Sequence, residues 1–413
     1  MFAEIIAIGS ELLTPFRLDT NSLLLTARLN RLGIEVTRKV VVGDDRATLD
    51  AAVASGLGAD ILILIGGLGP TEDDRTRDAV AAALGRRQYI DEAVVANLRK
   101  RFSARNMVMP EINMRQAMVV EGAELLENPK GSAPGQWIEH DGRVIILLPG
   151  PPHELEAVWD KSVWPRIEKI APPRRLVTRV LKIAGQFESH VDAKAAPIYR
   201  QYDNPQTTIL TAPGEIQLHL RGTGVTEEEA RERVNELAAK LVAVLGDSVF
   251  SENNEVMEEV IGRLLLTRGL TLAVAESCTG GLIGERLTRI PGSSKYFLGG
   301  VISYSNEAKQ SLLGVPRRVL ETDGAVSAET ARVMAEGVRR AFNASIGIAV
   351  TGIAGPASDG TDKPAGLVYC AIADAEGHRV SERKFPGDRE RVRMQASQLA
   401  LDMVRRRLTS LAI

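Results

Sequence analysis

Five times along this chain a short run rich in apolar residues stops at a turn and gives way to a helix-forming or glycine-rich stretch. The runs lie at residues 3–8, 60–65, 144–148, 271–275 and 346–350, and the turns after them carry Gly9, Gly66-Gly67, Pro149-Gly150, Glu276-Ser277 and Thr351-Gly352. A strand that is apolar on both faces has to be covered on both. Strand–helix–strand units of this length therefore predict an α/β fold, with parallel sheets flanked by helices.

A chain of 413 residues exceeds what one core organises, so several domains are expected. The first, over residues 1–170, alternates strands and helices as a doubly wound parallel sheet. Ala171-Pro172-Pro173-Arg174-Arg175 reads as a linker. Residues 175–250 form a small α+β unit, with strands at 176–183, 207–210 and 215–222 and helices near 190–198 and 227–244. A helix at 255–268 opens a third domain that runs to 413. A second connection is expected at 251–254.

With a net charge of -2 and 4% aromatic residues, the chain has neither a basic footprint nor many stacking platforms, which argues against nucleic acid as a partner. No run reaches the ~20 apolar residues of a membrane span. The two cysteines, Cys278 and Cys370, make no disulfide framework, and the chain opens on a strand without a basic leader. A cytoplasmic protein is expected.

Two turns carry the chemistry. In TLAVAESCTGGLIGER (residues 271–286) an apolar strand meets Ser277 and Cys278, two adjacent nucleophile candidates, at the start of a helix. Free amides of Thr279, Gly280 and Gly281 at that start would cradle either a phosphate or a developing oxyanion. Taken alone, such a turn is more often an ordinary helix start. His378 is the only histidine after residue 219 and sits in a turn, so a serine nucleophile would need another base. Lys309, in SYSNEAK, is the candidate, and Tyr304 just upstream could orient it or relay a proton. A lysine serves as base only when burial or cationic neighbours lower its pKa.

The other turn, GGLGPTEDDRTRDAV (66–80), has two readings. Gly66, Gly67 and Gly69 allow tight turning, and Thr71 or Asp73 could cap the next helix. Alternatively it is a phosphate loop in which Asp73 and Asp74 hold a divalent metal through hard oxygen ligands. There is no G-K-[ST], so it is not a P-loop NTPase.

The 271–286 turn is followed by GGVISYSNEAKQSLLGV (299–315), DGAVSAETA (323–331), AVTGIAGPASDGTDKPAGLVYCAIA (349–373) and FPGDRERVR (385–393). In this order they resemble the C-terminal domain of the CinA family, a nicotinamide mononucleotide (NMN) deamidase. IGSELL, DTNS, GGLGPTEDD, NPKGSAPG and LPGPPHE resemble the same family's molybdopterin-binding-like domain, and residues 175–250 resemble its KH-like module, here without a G-x-x-G loop between Gly185 and Gly214. Where the family has Leu-Gly-Gln after E-L-L, this chain has Thr14-Pro15-Phe16-Arg17.

The resemblance implies Ser277, Tyr304 and Lys309 as the catalytic group, with Cys278 a small buried side chain. The substrate's phosphate is then expected near Thr351, Gly352, Gly355 and Arg389, unless the Thr279–Gly280–Gly281 turn takes it. For the N-terminal domain the resemblance implies a metal-dependent ADP-ribose pyrophosphatase, with Asn21, Gly67, Gly69 and Thr71 at the nucleotide and Asp73 and Asp74 at the metal. It implies no cofactor for the deamidase, and a homodimer. The rival reading is a nucleotide-binding scaffold or sensor without catalysis in the N-terminal domain.

Overall fold

The computed structural model describes residues 1–356 and 362–410. Residues 357–361, inside the 349–373 motif, and the last three residues of the expected third domain lie outside that description. Contacts divide the chain into two units, Met1–Val177 with Thr223–Ala230, and Thr178–Gly222 with Arg231–Ile413.

The first unit follows the alternation read from the sequence. It runs β1 (Phe2–Ile8), α1 (Asn21–Arg31), β2 (Glu35–Val42), α2 (Arg46–Gly56), β3 (Ile61–Ile65), α3 (Thr76–Leu84), β4 (Gln88–Ile90) and α4 (Glu92–Ser103), then β5 (Met118–Val120), β6 (Ala123–Leu126), β7 (Gly135–His140), β8 (Arg143–Leu148), α5 (Pro152–Val158) and α6 (Trp164–Ile170). The main sheet has the order β2-β1-β3-β8-β7-β6. Its first four strands are parallel, whereas β7 and β6 add antiparallel, so the sheet is mixed rather than wholly parallel. The strand pleat splits each apolar run between two cores. Ile5, Ile61, Ile63 and Ile146 enter one, and Ile6, Leu62, Leu64 and Ile145 the other. The single helix expected near 154–167 is α5 and α6 joined by a π turn over Trp159–Val163. Pro165 has no N–H with which to continue an α ladder through that point.

In the middle module, β9 (Arg175–Ala184), α7 (Glu188–Tyr199), β10 (Gln206–Ala212), β11 (Glu215–Gly224), α8 (Glu227–Leu245) and β12 (Val249–Ser251) form a sheet of order β10-β11-β9-β12. The C-terminal domain contains α9 (Met257–Arg268), β13 (Leu272–Glu276), α10 (Leu282–Thr288), β14 (Phe297–Ile302), α11 (Asn306–Leu313), α12 (Arg317–Thr322), α13 (Ala328–Ala341), β15 (Ile346–Gly352), β16 (Leu367–Asp374), β17 (Gly377–Lys384) and α14 (Arg389–Ser410). Its sheet has the order β14-β13-β15-β16-β17, parallel up to β15 and antiparallel after it.

Alternation again assigns the faces. Leu272, Val274, Ile348 and Cys370 join the core that contains α9 and α14 residues, while Ala273, Ala275, Ala349 and Ala371 pack with the α13 side. Small residues on that second face let α13 approach closely. A Cβ on Gly347 would stand 2.2 Å from the Ala335 carbonyl, and one on Gly337 2.0 Å from that of Leu313. The middle module is not walled off from this domain. Ala184 and Phe250 belong to the same core as Met257 and Leu272, and Arg405 of α14 donates to the Asp247 carbonyl at 2.7 Å.

Candidate active site

The end of β13 delivers Glu276, Ser277 and Cys278 to successive positions, and the pleat separates them. Cys278 continues the face of Leu272 and Val274 and is buried in their core. Burial pushes its thiol up to about 12, which leaves it un-ionised and poorly nucleophilic at neutral pH. Ser277 is pinned through its amide, which donates to the Val350 carbonyl at 3.0 Å.

Lys309 reaches Ser277 from α11. Ser305 caps that helix with a hydroxyl that accepts from the Ala308 amide, so the helix start is fixed four residues before the lysine. The Lys309 side chain is fully buried. Its Nζ lies 3.1 Å from Ser277 Oγ and donates to the Ser303 carbonyl at 2.7 Å. Burial holds its pKa below the ordinary 10.5. No carboxylate pairs with it among the described residues, and the smaller opposing pull of the Cys278 thiol leaves the shift downward. A neutral amine here donates one N–H to Ser303 and keeps its lone pair for the Ser277 hydroxyl proton. Those are the requirements of a Ser–Lys dyad.

Tyr304 is placed differently from the expectation. It is 63% exposed, and its hydroxyl accepts from Arg389, at 2.9 Å, rather than meeting Lys309 or Ser277. Arg389, the first residue of α14, also donates to the Gly355 carbonyl at 2.9 Å. Tyr304, Arg389 and Gly355 thus form one polar group at the surface. Thr351 and Gly352 serve the scaffold. The Thr351 hydroxyl is spent on the Ala325 carbonyl at 2.7 Å, and a Cβ on Gly352 would collide with the backbone of β16 at Leu367. Neither has a free polar side-chain donor to offer a phosphate.

The glycine turn also departs from expectation. The Gly280 amide donates to the Ser277 carbonyl at 3.1 Å, and the Gly281 amide to the Glu276 carboxylate at 3.0 Å. Glu276 takes the amides of Ile283 and Gly284 as well. The start of α10 already holds an anion, so it is closed to a phosphate. The amides of Cys278 and Thr279 remain, and they hydrogen-bond to no acceptor among the described residues. The Thr279 carbonyl is held by Arg393 of α14 at 2.6 Å. Glu276 and Arg393 were not singled out from the sequence. The signal for Glu276 was an acid directly before a glycine-rich helix start, where a carboxylate is electrostatically favoured.

In the N-terminal unit a cleft of about 660 Å³ gathers Asn21, Gly67, Gly69, Asp73 and Asp74 with Glu11, Asp19, Asp44, His153 and Glu154. The glycines are structurally required. Gly66 and Gly67 have positive φ, and a Cβ on Gly67 would stand 2.1 Å from Thr76 Oγ1. Thr71 and Asp73 do not cap α3. The helix begins after Arg75 without a side-chain cap, and Thr71 instead donates through its amide and hydroxyl to Asp74 at 2.9 and 2.6 Å. Those bonds engage Thr71 within the loop itself and not at the helix end. Asn21 lines the cleft, but its side-chain amide donates to the Gly150 carbonyl at 2.8 Å. Beneath the loop Arg77 is buried and donates to the Leu68 carbonyl at 2.7 Å. Burial pulls its pKa to about 10, and it places a positive charge behind the glycines. Among the described residues no three His, Cys, Asp or Glu side chains converge as a metal site. Phe16, in the segment that departs from the family pattern, is almost fully exposed, while its neighbours Arg17 and Leu18 line the cleft.

Comparison with known proteins covers nearly the whole chain. The CinA C-terminal domain family matches residues 254–408, the probable molybdopterin binding domain family residues 4–169, and the damage-inducible protein CinA KH domain family residues 178–251. A CinA-like protein of Koribacter versatilis is 53% identical over 413 residues, covering 99% of this chain and 100% of the relative. One of Solibacter usitatus is 50% identical over 410 residues, 99% of each. Among solved structures, the competence/damage inducible protein CihA of Agrobacterium tumefaciens is 38% identical, covering 38% of this chain and 98% of that one, with a TM-score of 0.36.

Proposed function

The chain belongs to the CinA family, and on that premise we propose that its C-terminal domain is an amidohydrolase that converts NMN and water into nicotinate mononucleotide and ammonia. The observation that carries the reading is the buried Lys309 Nζ, 3.1 Å from Ser277 Oγ, in a site that holds its pKa down.

In this mechanism the neutral Lys309 amine takes the Ser277 proton as Oγ attacks the carboxamide carbon. The oxyanion that forms is met by the unengaged amides of Cys278 and Thr279. Lys309 then returns its proton to the departing nitrogen, which leaves as ammonia, and Ser277 keeps the nicotinoyl group as an ester. Water, deprotonated by the same amine, cleaves the ester and restores the hydroxyl. Because the start of α10 is filled by Glu276, the phosphate end of the substrate points away from it, towards Arg389. An Arg guanidinium there pairs with a phosphate through two N–H groups. Wild-type chain should release ammonia from NMN at the same rate with and without a metal chelator. Absence of ammonia, or its loss on chelation, would overturn the reading.

A second activity is proposed for the N-terminal cleft, cleavage of ADP-ribose or a related pyrophosphate. Its volume, its glycine loop and the buried Arg77 charge behind that loop suit a phosphorylated ligand. Asp73 and the remaining oxygen of Asp74 fit a divalent ion that shares its coordination with substrate phosphates and water, the usual manner of Mg²⁺. When bound, such an ion would neutralise phosphate charge. Turnover of ADP-ribose that survives chelation and Asp73→Asn would remove the metal from this proposal. We extend the same reading to a cytoplasmic homodimer acting on small nucleotides, which sedimentation of the full chain tests for assembly.

A further inference from the structure

We infer that Glu276 is a positioning residue of the amidohydrolase: its carboxylate clamps the turn around Ser277 by holding the start of α10, and so fixes the serine hydroxyl against Lys309. The inference rests on the reading of Ser277 as nucleophile.

Glu276 is 1% exposed and forms no ion pair among the described residues. Its charge is met by three amides instead, those of Gly281 at 3.0 Å, Ile283 at 3.1 Å and Gly284 at 2.9 Å. A buried carboxylate with neither partner nor hydrogen bonds is prohibitively costly, so these bonds and the residue's burial stand or fall together. An ordinary helix cap is a short side chain at the N-cap that reaches two or three residues ahead. Here the N-cap is Gly281, which has no side chain, and the capping oxygens come from five residues upstream. The bonds from Glu276 to residues 281, 283 and 284 therefore close a loop that contains the nucleophile.

That loop needs a clamp. Gly280 and Gly281 both have positive φ, 60° and 95°, in a segment with wide backbone freedom once released. The backbone on either side is anchored, since the Ser303 amide donates to the Glu276 carbonyl at 2.8 Å and the Ser277 amide to Val350. Ser303 supplies the carbonyl that holds Lys309. Glu276 thus joins three parts: the strand carrying the nucleophile, the helix start beyond it, and the segment that steadies the base. Loss of the carboxylate frees the glycines and lets Ser277 Oγ drift from the amine. It need not disturb the Arg389 end of the substrate.

The test compares the full-length wild type with Glu276→Ala and Glu276→Gln. Steady-state ammonia release from NMN is measured with and without added formate, alongside the rate at which a fluorophosphonate probe labels Ser277, read by peptide mass spectrometry. Glu276→Ala is expected to lose on the order of 10²-fold in kcat, the scale of a slight misplacement of a reacting group, with KM nearly unchanged. Formate, as a free carboxylate able to occupy the vacated place, should restore much of the turnover and of the labelling, with no effect on wild type. Should Glu276→Ala fail to fold by circular dichroism, Glu276→Gln carries the test. It keeps the shape but turns an NH2 group towards amide donors, and it should lose kcat likewise without rescue. Wild-type kcat in Glu276→Gln overturns the inference, as does a formate-insensitive loss shared equally by KM in a folded Glu276→Ala. Wild type that releases no ammonia, while Ser277 labelling still depends on Glu276 and formate, overturns the deamidase reading and leaves this one standing.

Discussion

Lys309 is the residue at which burial, charge and chemistry meet. Its amine is held below 10.5 by desolvation. Between that lowered value and 10.5 the unfolded chain binds one proton more than the folded one, so raising the pH through this window favours the folded state. Wild type should therefore gain stability relative to Lys309→Met as pH rises from neutrality towards 10.5, measured as the difference in melting temperature. A flat difference would mean that Lys309 titrates as an exposed lysine. Catalysis follows the same proton. The kcat/KM for NMN should rise with pH along a limb set by the lowered Lys309 value, and Lys309→Arg should be inactive, because a guanidinium stays charged. Much of this site was legible in the sequence. Ser277 at a strand end was visible as a type and a spacing, whereas its pairing with Lys309 and its preference over Cys278 came from the family resemblance and not from the local pattern. Thr351 was not legible in the same way, since its hydroxyl is claimed by Ala325, a residue 26 positions earlier that only the fold brings near. Tyr304 was placed with the lysine by proximity in sequence, yet it pairs with Arg389, 85 positions on.

Among the elements, α11 and α13 decide whether the base reaches the serine. α11 carries Lys309, and its last turn lies against α13 with no room at Gly337. Gly337→Ala should force the two helices apart, costing about 1–3 kcal/mol as overpacking usually does. It should also lower deamidase turnover, because the shift moves Lys309. Gly269→Ala is the control, at a helix C-cap with positive φ and no atom within 4 Å of the added methyl. It should cost only about 1 kcal/mol and leave turnover alone. Denaturant melts with parallel ammonia assays distinguish the two, and equal turnover in both would show that α11 does not depend on this contact. The strands delimited from the sequence lie within two residues of those observed, because most are short apolar runs bounded by turn residues. The antiparallel strands β7 and β6 were missed, and β4, β5, β12, β14, β16 and β17 were not delimited either. Val144 and its neighbours advertise a buried strand, but which way a partner runs is set by the short connection Asp141–Gly142, both of positive φ, and not by the strand's own pattern.

Across the whole molecule, the length pointed to several domains, and the linker at Ala171–Arg175 falls close to the division after Val177. The second expected separation, at 251–254, is a chain connection and not a gap in packing. Ala184 and Phe250 sit in the core of the C-terminal domain, a contact between residues too far apart for any local pattern to signal. A fragment from residue 178 should therefore melt at a higher temperature than one from residue 255, which leaves part of that core uncovered. Equal melting temperatures would show that the middle module adds nothing to the domain it packs on. The central claim is a serine nucleophile paired with a buried lysine, and it is tested most directly by ammonia release from NMN by the full chain beside Ser277→Ala, Lys309→Ala, their double variant and Cys278→Ala. The account predicts losses on the order of 10³-fold or more for Ser277→Ala and Lys309→Ala, little further loss in the double variant, and an active Cys278→Ala. An inactive Cys278→Ala beside an active Ser277→Ala would contradict it.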